Sequence, residues 1–164
     1  MAVEVYGVNM TTITPCLWFE SRAAEALELY TSVFPDARVH SETRWPDGTP
    51  NAGALLSAEF ELAGQRFILI DGGGPGFTDA ISLSVGVETQ EEVDHYWEAL
   101  LADGGEESMC GWFRDKFGVA WQIIPSALPR LMSDPDRARA GRATQAMMQM
   151  RKIVIADLEA AAAG

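Results

Sequence analysis

Residues 13–19 read ITPCLWF, and the chain continues with Glu-Ser and an amphipathic stretch. Residues 81–87 read ISLSVGV, and they are followed by Glu-Thr and a second amphipathic stretch. In both segments a short strand pattern ends in an apolar residue, an acid comes next, and a hydroxyl residue opens a helix. Further strand-like runs follow each helix. A strand–helix–strands unit used twice predicts two similar halves that share a surface, with a ligand cleft where they meet.

Helix and strand signals complete both halves. Apolar residues at helical spacing predict a first helix over about 21–33, and Thr89 with Glu92 three residues later is a capping-box signature for the second. In each half, strand-like runs separated by turn signals follow the helix, as is typical of hairpins. The predicted strands are 38–45, 54–62 and 66–70 in the first half, and 109–114 and 119–125 in the second.

These signals predict an α+β domain over residues 1–126, with halves over about 10–72 and 78–126. Residues 127–164 are rich in helix formers and are predicted to form a helical C-terminal extension. Four residues are expected to supply its apolar contacts with the domain or with a partner chain. They are Ala143, Met147, Met148 and Met150.

Composition excludes several classes of partner. Twenty-four acids against 12 Lys plus Arg give a net charge of -12, which disfavours nucleic acids and anionic membranes. No run approaches the roughly 18 apolar residues of a membrane span. The N-terminal residues show no export signal, so we expect a cytoplasmic protein in which Cys16 and Cys110 are reduced.

Strand alternation predicts which residues line the cleft. A period of two places Thr14, Cys16 and Trp18 on one face of the first strand, and Ser82 and Ser84 on one face of the later strand. The apolar residues between them face the helices. If both halves expose the polar face, the cleft has a floor of hydroxyl, thiol and indole groups.

Three segments together resemble the vicinal oxygen chelate superfamily, which includes glyoxalase I, bleomycin-resistance proteins and extradiol dioxygenases. They are residues 13–19, residues 29–35 (LYTSVFP) and residues 110–123 (CGWFRDKFGVAWQI). Within that superfamily the chain looks like the PhnB-like branch, some of whose members carry the name 3-demethylubiquinone-9 3-methyltransferase. The resemblance implies two βαβββ modules with curved mixed sheets around a shared cleft, and it implies a homodimer.

The resemblance also implies where a metal would sit, because metal-dependent members hold a divalent ion with His, Glu or Gln from four strands. Carried over by strand position, the equivalents are approximately Thr14, Asp71, Ser82 and Gln122. Two of these are hydroxyl residues, which are poor transition-metal ligands compared with imidazole or carboxylate. We therefore expect neither a metal nor another cofactor.

The resulting candidate ligand site has no assigned catalytic residue. Its residues are Thr14, Cys16, Trp18, Asp71, Ser82, Ser84, Cys110, Trp112 and Gln122. Cys16 and Cys110 have a second interpretation as small core residues, and Trp18 and Trp112 as core aromatics. Gln122 is polar within an apolar strand, so either a structural network or a ligand must satisfy its hydrogen bonds.

Residues 71–76 (DGGGPG) are a candidate nucleotide or S-adenosylmethionine loop, since they follow an apolar strand. Such loops lead into a helix, whereas Pro75 and a strand follow here, so the loop is interpreted as the connector between the halves. The sequence therefore favours a metal-independent small-molecule-binding protein. Two enzymatic alternatives stay open: a metal-dependent lyase or dioxygenase of the same superfamily, and a methyltransferase.

Overall fold

The first module contains one helix and one four-stranded sheet. The computed structural model describes residues 11–164. Its first module comprises β1 (Cys16–Phe19), α1 (Ala23–Val33), β2 (Arg38–Arg44), β3 (Leu55–Leu62) and β4 (Gln65–Asp71). The strand order is β1-β4-β3-β2, with β1 parallel to β4 and the other neighbours antiparallel.

The second module repeats this topology. It comprises β5 (Leu83–Val87), α2 (Gln90–Leu101), β6 (Glu106–Glu107), β7 (Trp112–Arg114) and β8 (Ala120–Pro125). The order β5-β8-β7-β6, with β5 parallel to β8, matches the first sheet strand for strand. The predicted α+β class with two βαβββ modules is therefore confirmed. The two-residue strand β6 was not predicted, because Glu106 and Glu107 carry no apolar alternation.

Local signals in the sequence explain where these elements turn and begin. Ala63 and Gly64 both have positive φ, 47° and 80°, which gives the two-residue hairpin between β3 and β4 the twist that such hairpins require. At the start of α2 the Thr89 hydroxyl accepts the Glu92 N–H at 3.2 Å, and the Glu92 carboxylate accepts the Thr89 N–H at 3.0 Å. The predicted capping box is present.

The apolar strand faces pack against the helices as the alternation predicts. Leu17 and Phe19 are buried in β1, while Cys16 and Trp18 are exposed. Residues from both modules form one hydrophobic core, in which Tyr30 from α1 lies edge-on to Trp121 from β8 at a centroid distance of 5.3 Å. The helix-covered sides of the two sheets therefore share a core, and their other sides stay open.

A buried carboxylate lies at the centre of that core. Asp115, in the turn between β7 and β8, is only 3% exposed. It accepts hydrogen bonds from the Tyr30 hydroxyl at 2.6 Å and the Trp121 indole N–H at 2.9 Å. The backbone N–H groups of Phe117 and Val119 donate to its other oxygen at 2.9 and 3.0 Å. Burial raises the pKa of Asp115, while these four donors act in the opposite direction.

The C-terminal extension is helical, as predicted, and comprises α3 (Ala127–Met132), α4 (Arg137–Met147) and α5 (Ile155–Ala163). It has its own hydrophobic cluster, which includes Leu128, Leu131, Ala143, Ile153, Leu158 and Ala162, with Met147 and Met150 packed against it. Met148 does not pack against this cluster within the chain, so its expected contact with a partner chain stays a prediction. At the end of α4 its side chain points outward and is 57% exposed.

Over residues 11–164, no helix combines the length and the apolar character needed to cross a bilayer. The longest helix of this part of the chain, α2, has 12 residues. A membrane span needs about 20.

Tyr30→Phe removes the hydroxyl that links α1 to Asp115 and leaves a buried carboxylate with one donor fewer. We expect the free energy of unfolding to fall by about 1–3 kcal/mol in urea titrations. Tyr96→Phe is the matched control, because Tyr96 is only half-buried and should change stability by less than about 0.5 kcal/mol. Equal effects of the two variants would contradict the role given to the Tyr30 hydroxyl.

The stability difference between wild type and Tyr30→Phe should also depend on pH. Burial, with the nearby Asp115 charge, raises the pKa of Tyr30 well above its usual value. An unfolded tyrosine ionises near pH 10 while the folded one stays protonated, so this group's contribution is lost as pH rises above about 10. The stability difference between wild type and Tyr30→Phe should therefore shrink between about pH 8 and about pH 11. A difference that stays constant over that range would contradict the prediction.

Candidate functional site

The open face of the first sheet carries Cys16 and Trp18. In the β1–β4 ladder these residues pair with Ile68 and Ile70, so four side chains form a continuous patch on that face. Cys16 is exposed, and burial of part of its thiol raises the pKa of the Cys16 side chain. A thiol with a raised pKa is protonated at neutral pH and is a poor nucleophile.

Trp18 forms a fixed aromatic platform on this face. Its indole is 49% exposed, so it is not a core residue. The indole N–H donates to the carbonyl oxygen of Gly72 at 2.9 Å, which fixes the ring orientation. Gly74 lies so close to the same strand that a Cβ there would stand 2.9 Å from the Phe19 carbonyl oxygen. The connector thus folds back onto the end of β1 and holds Trp18 in place.

The open face of the second sheet carries a row of three polar or aromatic side chains. Gln122 pairs with Ser84 on one side and with Trp112 on the other, so the three residues cross β5, β8 and β7 in register. The Gln122 amide N–H donates to the Ser82 hydroxyl at 2.7 Å. Gln122 and Trp112 are both partly exposed, which leaves hydrogen-bonding and stacking surface available to a ligand.

Residues of both modules line two neighbouring cavities near β1 and the start of β5. A crevice of about 260 Å³ is lined by Cys16 and Leu17 from β1 and by Ser82 and Leu83 from the second module. A neighbouring cavity of about 380 Å³ is lined by Ser82 and Ser84, among others. Ser82 lines both cavities, Cys16 lines the first and Ser84 the second, and Gln122 is bonded to Ser82.

Two other candidates lie elsewhere. Asp71 pairs with the buried Phe19 at the end of β4, so it belongs to the opposite face of the sheet from Trp18. Cys110 precedes β7, and its N–H donates to the Met150 carbonyl oxygen at 2.7 Å. The Cys110 backbone is therefore hydrogen-bonded to the C-terminal extension. Cys110 does not lie in the row formed by Ser84, Gln122 and Trp112.

The four positions equivalent to metal ligands do not form a metal site. Thr14 precedes β1 and Asp71 pairs with Phe19, so about five residues at about 3.3 Å each, roughly 16 Å along the ladder, separate them. Ser82 and Gln122 are bonded to each other through hydroxyl and amide groups. Within residues 11–164, no three His, Cys, Asp or Glu side chains are grouped to hold an ion.

Neither histidine supplies the missing ligands. The His40 ring lies 3.3 Å from the Glu61 carboxylate at the outer part of the first sheet. The His95 ring nitrogen lies 3.2 Å from the Val33 carbonyl oxygen, where α1 and α2 meet. Within residues 11–164, the donor set therefore does not fit the metal that the fold family implies.

Sequence reasoning missed two charged residues at this site. Arg114 makes a two-pronged ion pair with Asp79, with N–O distances of 2.8 and 2.7 Å. Both line a polar hollow of about 460 Å³ with Trp112 and Ser108. Arg114 shares the open strand face with Trp112, two residues earlier, and that spacing was the available signal. The partner Asp79 is 35 positions away in the connector, and no sequence pattern links the two.

The paired βαβββ modules around a cleft define a vicinal oxygen chelate protein. The sequence matches the family model described as 3-demethylubiquinone-9 3-methyltransferase over residues 11–124. The chain therefore belongs to this family, in the PhnB-like branch of the superfamily.

Solved structures agree with this assignment. A Bacillus cereus structure described as a putative 3-demethylubiquinone-9 3-methyltransferase, PhnB protein, shares 35% identity. That match covers 71% of this chain and all of the Bacillus cereus chain, with a TM-score of 0.64. A protein from Pseudomonas aeruginosa (22% identity, 71% and 98% coverage, TM-score 0.60) shows the same fold.

A more distant structure extends the likeness in fold. It is the fosfomycin resistance protein FosX from Listeria monocytogenes, described in complex with Mn(II) and sulfate ion. It shares 14% identity, with 70% of this chain and 89% of that chain covered and a TM-score of 0.51. Among curated proteins the sequence has no match.

Trp18→Ala and Gln122→Leu test the placement of these residues on an open face. Replacing a half-exposed Trp should destabilise the protein by clearly less than the roughly 3–5 kcal/mol typical of a buried one. Gln122→Leu removes only the bond to a partly exposed serine hydroxyl and should cost less than about 1 kcal/mol. Thermal melts measure both effects, with Trp121→Ala as the buried control. Losses as severe as that control would make Trp18 and Gln122 core residues.

Proposed function

We propose that this chain is a cytoplasmic small-molecule-binding protein that works without the superfamily's metal. The observation that carries the proposal is the row of Ser84, Gln122 and Trp112, with Gln122 bonded to Ser82 where metal ligands would stand. These groups offer hydroxyl, amide and indole surface. They bind a ligand by hydrogen bonding and stacking, and they are poorly suited to hold a divalent transition metal.

The residues around the cleft favour a flat ligand. Trp18 is held by its bond to Gly72, so little rotamer entropy is lost when a ring stacks on its exposed face. Trp112 offers a second aromatic surface beside the Gln122 amide. The carboxylates near it and the net charge of -12 make a neutral or cationic ring a better fit than a polyanion.

The two enzymatic alternatives find less support. FosX is described with Mn(II), but here Thr14 and Asp71 are far apart along the ladder and Ser82 is bonded to Gln122. For a methyltransferase, the glycine-rich connector would have to present its amides to a cofactor. The N–H groups of Gly72 and Gly74 instead donate to the Phe19 carbonyl oxygen, each at 3.1 Å, and β5 follows the connector.

Metal analysis and calorimetry test these alternatives directly. Untagged protein should contain well under one equivalent of any transition metal per chain. Titration with S-adenosylmethionine should give no heat of binding at micromolar concentrations. One tightly held ion per chain would overturn the metal-independent proposal, and one-to-one micromolar binding of S-adenosylmethionine would support the methyltransferase.

We also infer that the protein is a homodimer. Ile13 and Ile81 occupy equivalent places just before β1 and β5, and they are 94% and 80% exposed. Two large apolar side chains at repeated positions favour a contact with a second copy related by symmetry. The buried apolar residues of the C-terminal extension are already satisfied within the chain, so this pair is the better candidate for the contact.

Sedimentation at micromolar concentration tests the dimer. Wild type should sediment at about twice 17.8 kDa, and Ile13→Glu with Ile81→Glu should sediment as a monomer, because each charge would be buried without a partner. Met148→Glu is the control, since that residue is exposed outside the proposed contact. A wild-type monomer would contradict the dimer itself, while a dimeric double variant would contradict its placement.

A further inference from the structure

Strand β5 lies at one edge of the second sheet, because the strand order is β5-β8-β7-β6. An edge strand pairs on one side only, and on its other side the backbone N–H and C=O groups have no partner strand. Ser84 and Gly86 in β5 are both exposed. The free side of β5 is therefore open to a ligand that can bond to a protein backbone.

The register of the sheet shows which residues of β5 present their backbone groups on the free side. Val87 pairs with Pro125, and its carbonyl oxygen accepts the Ser126 N–H at 2.8 Å, so the Val87 backbone faces β8. Along a strand, the N–H and C=O of one residue point to the same side, and those of the next residue point to the other. Val85 therefore also bonds to β8, whereas the backbone groups of Ser84 and Gly86 point to the free side.

Two of these backbone groups form an acceptor and a donor that lie close together. The Ser84 carbonyl oxygen and the Gly86 N–H are separated by one residue and point the same way. Among the backbone hydrogen bonds that link different elements within residues 11–164, none involves either group. A ligand that carries a donor beside an acceptor can therefore bond to both at once.

Ser84 and Gly86 also line the cavity of about 380 Å³. A Cβ on Gly86 would meet nothing within 4 Å, and Gly86 does not have the positive φ that favours glycine, so neither packing nor backbone conformation requires a glycine here. A glycine inside a strand often marks a place where a ligand approaches the backbone closely. Most other residues around the cavity are apolar, and they include Phe34, Leu62, Ala63, Phe67 and Trp121. The backbone donor and acceptor therefore border a largely apolar space.

We propose that the free side of β5 recognises a flat cyclic amide, a ring in which an N–H stands beside a C=O. This inference rests on the proposed binding function and names the class of ligand. The ligand N–H donates to the Ser84 carbonyl oxygen, the ligand C=O accepts the Gly86 N–H, and the apolar part of the ring lies in the cavity. A neutral amide also suits a chain with a net charge of -12 better than an anion does.

Two matched probes test this recognition in the full chain. Carbostyril is a fused aromatic cyclic amide, and N-methylcarbostyril has the same rings and C=O but lacks the N–H. In NMR titrations of isotope-labelled wild type, carbostyril should bind at least tenfold more tightly than its N-methyl derivative. The amide proton resonance of Gly86 should move downfield as carbostyril binds, because it gains a hydrogen bond to the ligand. Equal affinities, or an unchanged Gly86 resonance, would overturn the inference.

Gly86→Pro and Gly86→Ala separate the backbone donor from side-chain bulk. Proline has no N–H, and because the Gly86 N–H points to the free side, proline there removes no bond of the ladder. Alanine keeps the N–H and adds only a Cβ for which there is room. Gly86→Pro should weaken carbostyril binding at least tenfold, and Gly86→Ala should stay within about twofold of wild type. Thermal melts check that both variants fold; if Gly86→Pro does not, the Gly86 resonance of wild type decides. A folded Gly86→Pro variant that binds carbostyril like wild type would overturn the inference.

Trp18→Ala distinguishes failure of this inference from failure of the proposed binding function. If wild type binds both compounds equally and Trp18→Ala weakens both at least fivefold, the open faces bind flat molecules and the pairing with β5 is wrong. If carbostyril binding depends on Gly86 but not on Trp18, the pairing with β5 stands and stacking on Trp18 is wrong. If neither compound binds wild type at millimolar concentration, the cyclic-amide inference is overturned. The proposed function falls with it only if protein taken from its source also carries no organic molecule.

Discussion

The relative placement of the two modules depends on the buried carboxylate of Asp115. A carboxylate in a hydrophobic core is costly unless donors satisfy it, and here four donors do so. One of them, the Tyr30 hydroxyl, comes from the other module. The carboxylate can therefore be satisfied in this way only when α1 stands against the turn between β7 and β8. Aromatic contacts of Trp121 with Tyr30 and Phe34 add packing to the same junction.

This junction determines which faces of the two sheets are left uncovered by the helices. With the helix-covered sides joined in one core, the opposite faces carry Cys16 and Trp18 in the first module and Ser84, Gln122 and Trp112 in the second. The residues on those faces differ from the metal-binding chemistry of the superfamily, since hydroxyl, amide and indole groups stand there. The chain thus has the fold of its family, and the C-terminal extension lies outside the residues that the family model matches.

Much of the fold was predictable because it depends on short-range patterns. The period-two alternation in β1 and the capping box at Thr89 involve residues within three or four positions, and both are present in the structure. The repeated strand–helix–strands pattern predicted the topology of the two modules. By contrast, β6 carries no pattern because its two residues are both exposed glutamates without apolar alternation. Met148 lies outside the packed cluster because α4 ends at Met147, and helical spacing does not show where a helix ends.

The site was less predictable because its important partners are distant in sequence. The pairing of Asp115 with Tyr30 spans 85 positions, and that of Arg114 with Asp79 spans 35. The row of Ser84, Gln122 and Trp112 depends on strand register, which alternation alone does not fix. The sheet face occupied by Asp71 was not predictable either, because only its pairing with Phe19 shows it.

On this account the open faces of the two sheets bind an organic molecule without a metal. Crystallography of the protein taken directly from its source, with native mass spectrometry of the same sample, tests this most directly. We predict a co-purified organic molecule stacked on Trp18 or Trp112 and hydrogen-bonded to Gln122. An ion coordinated by Ser82 and Gln122, or a ligand bound away from both open faces, would contradict the claim.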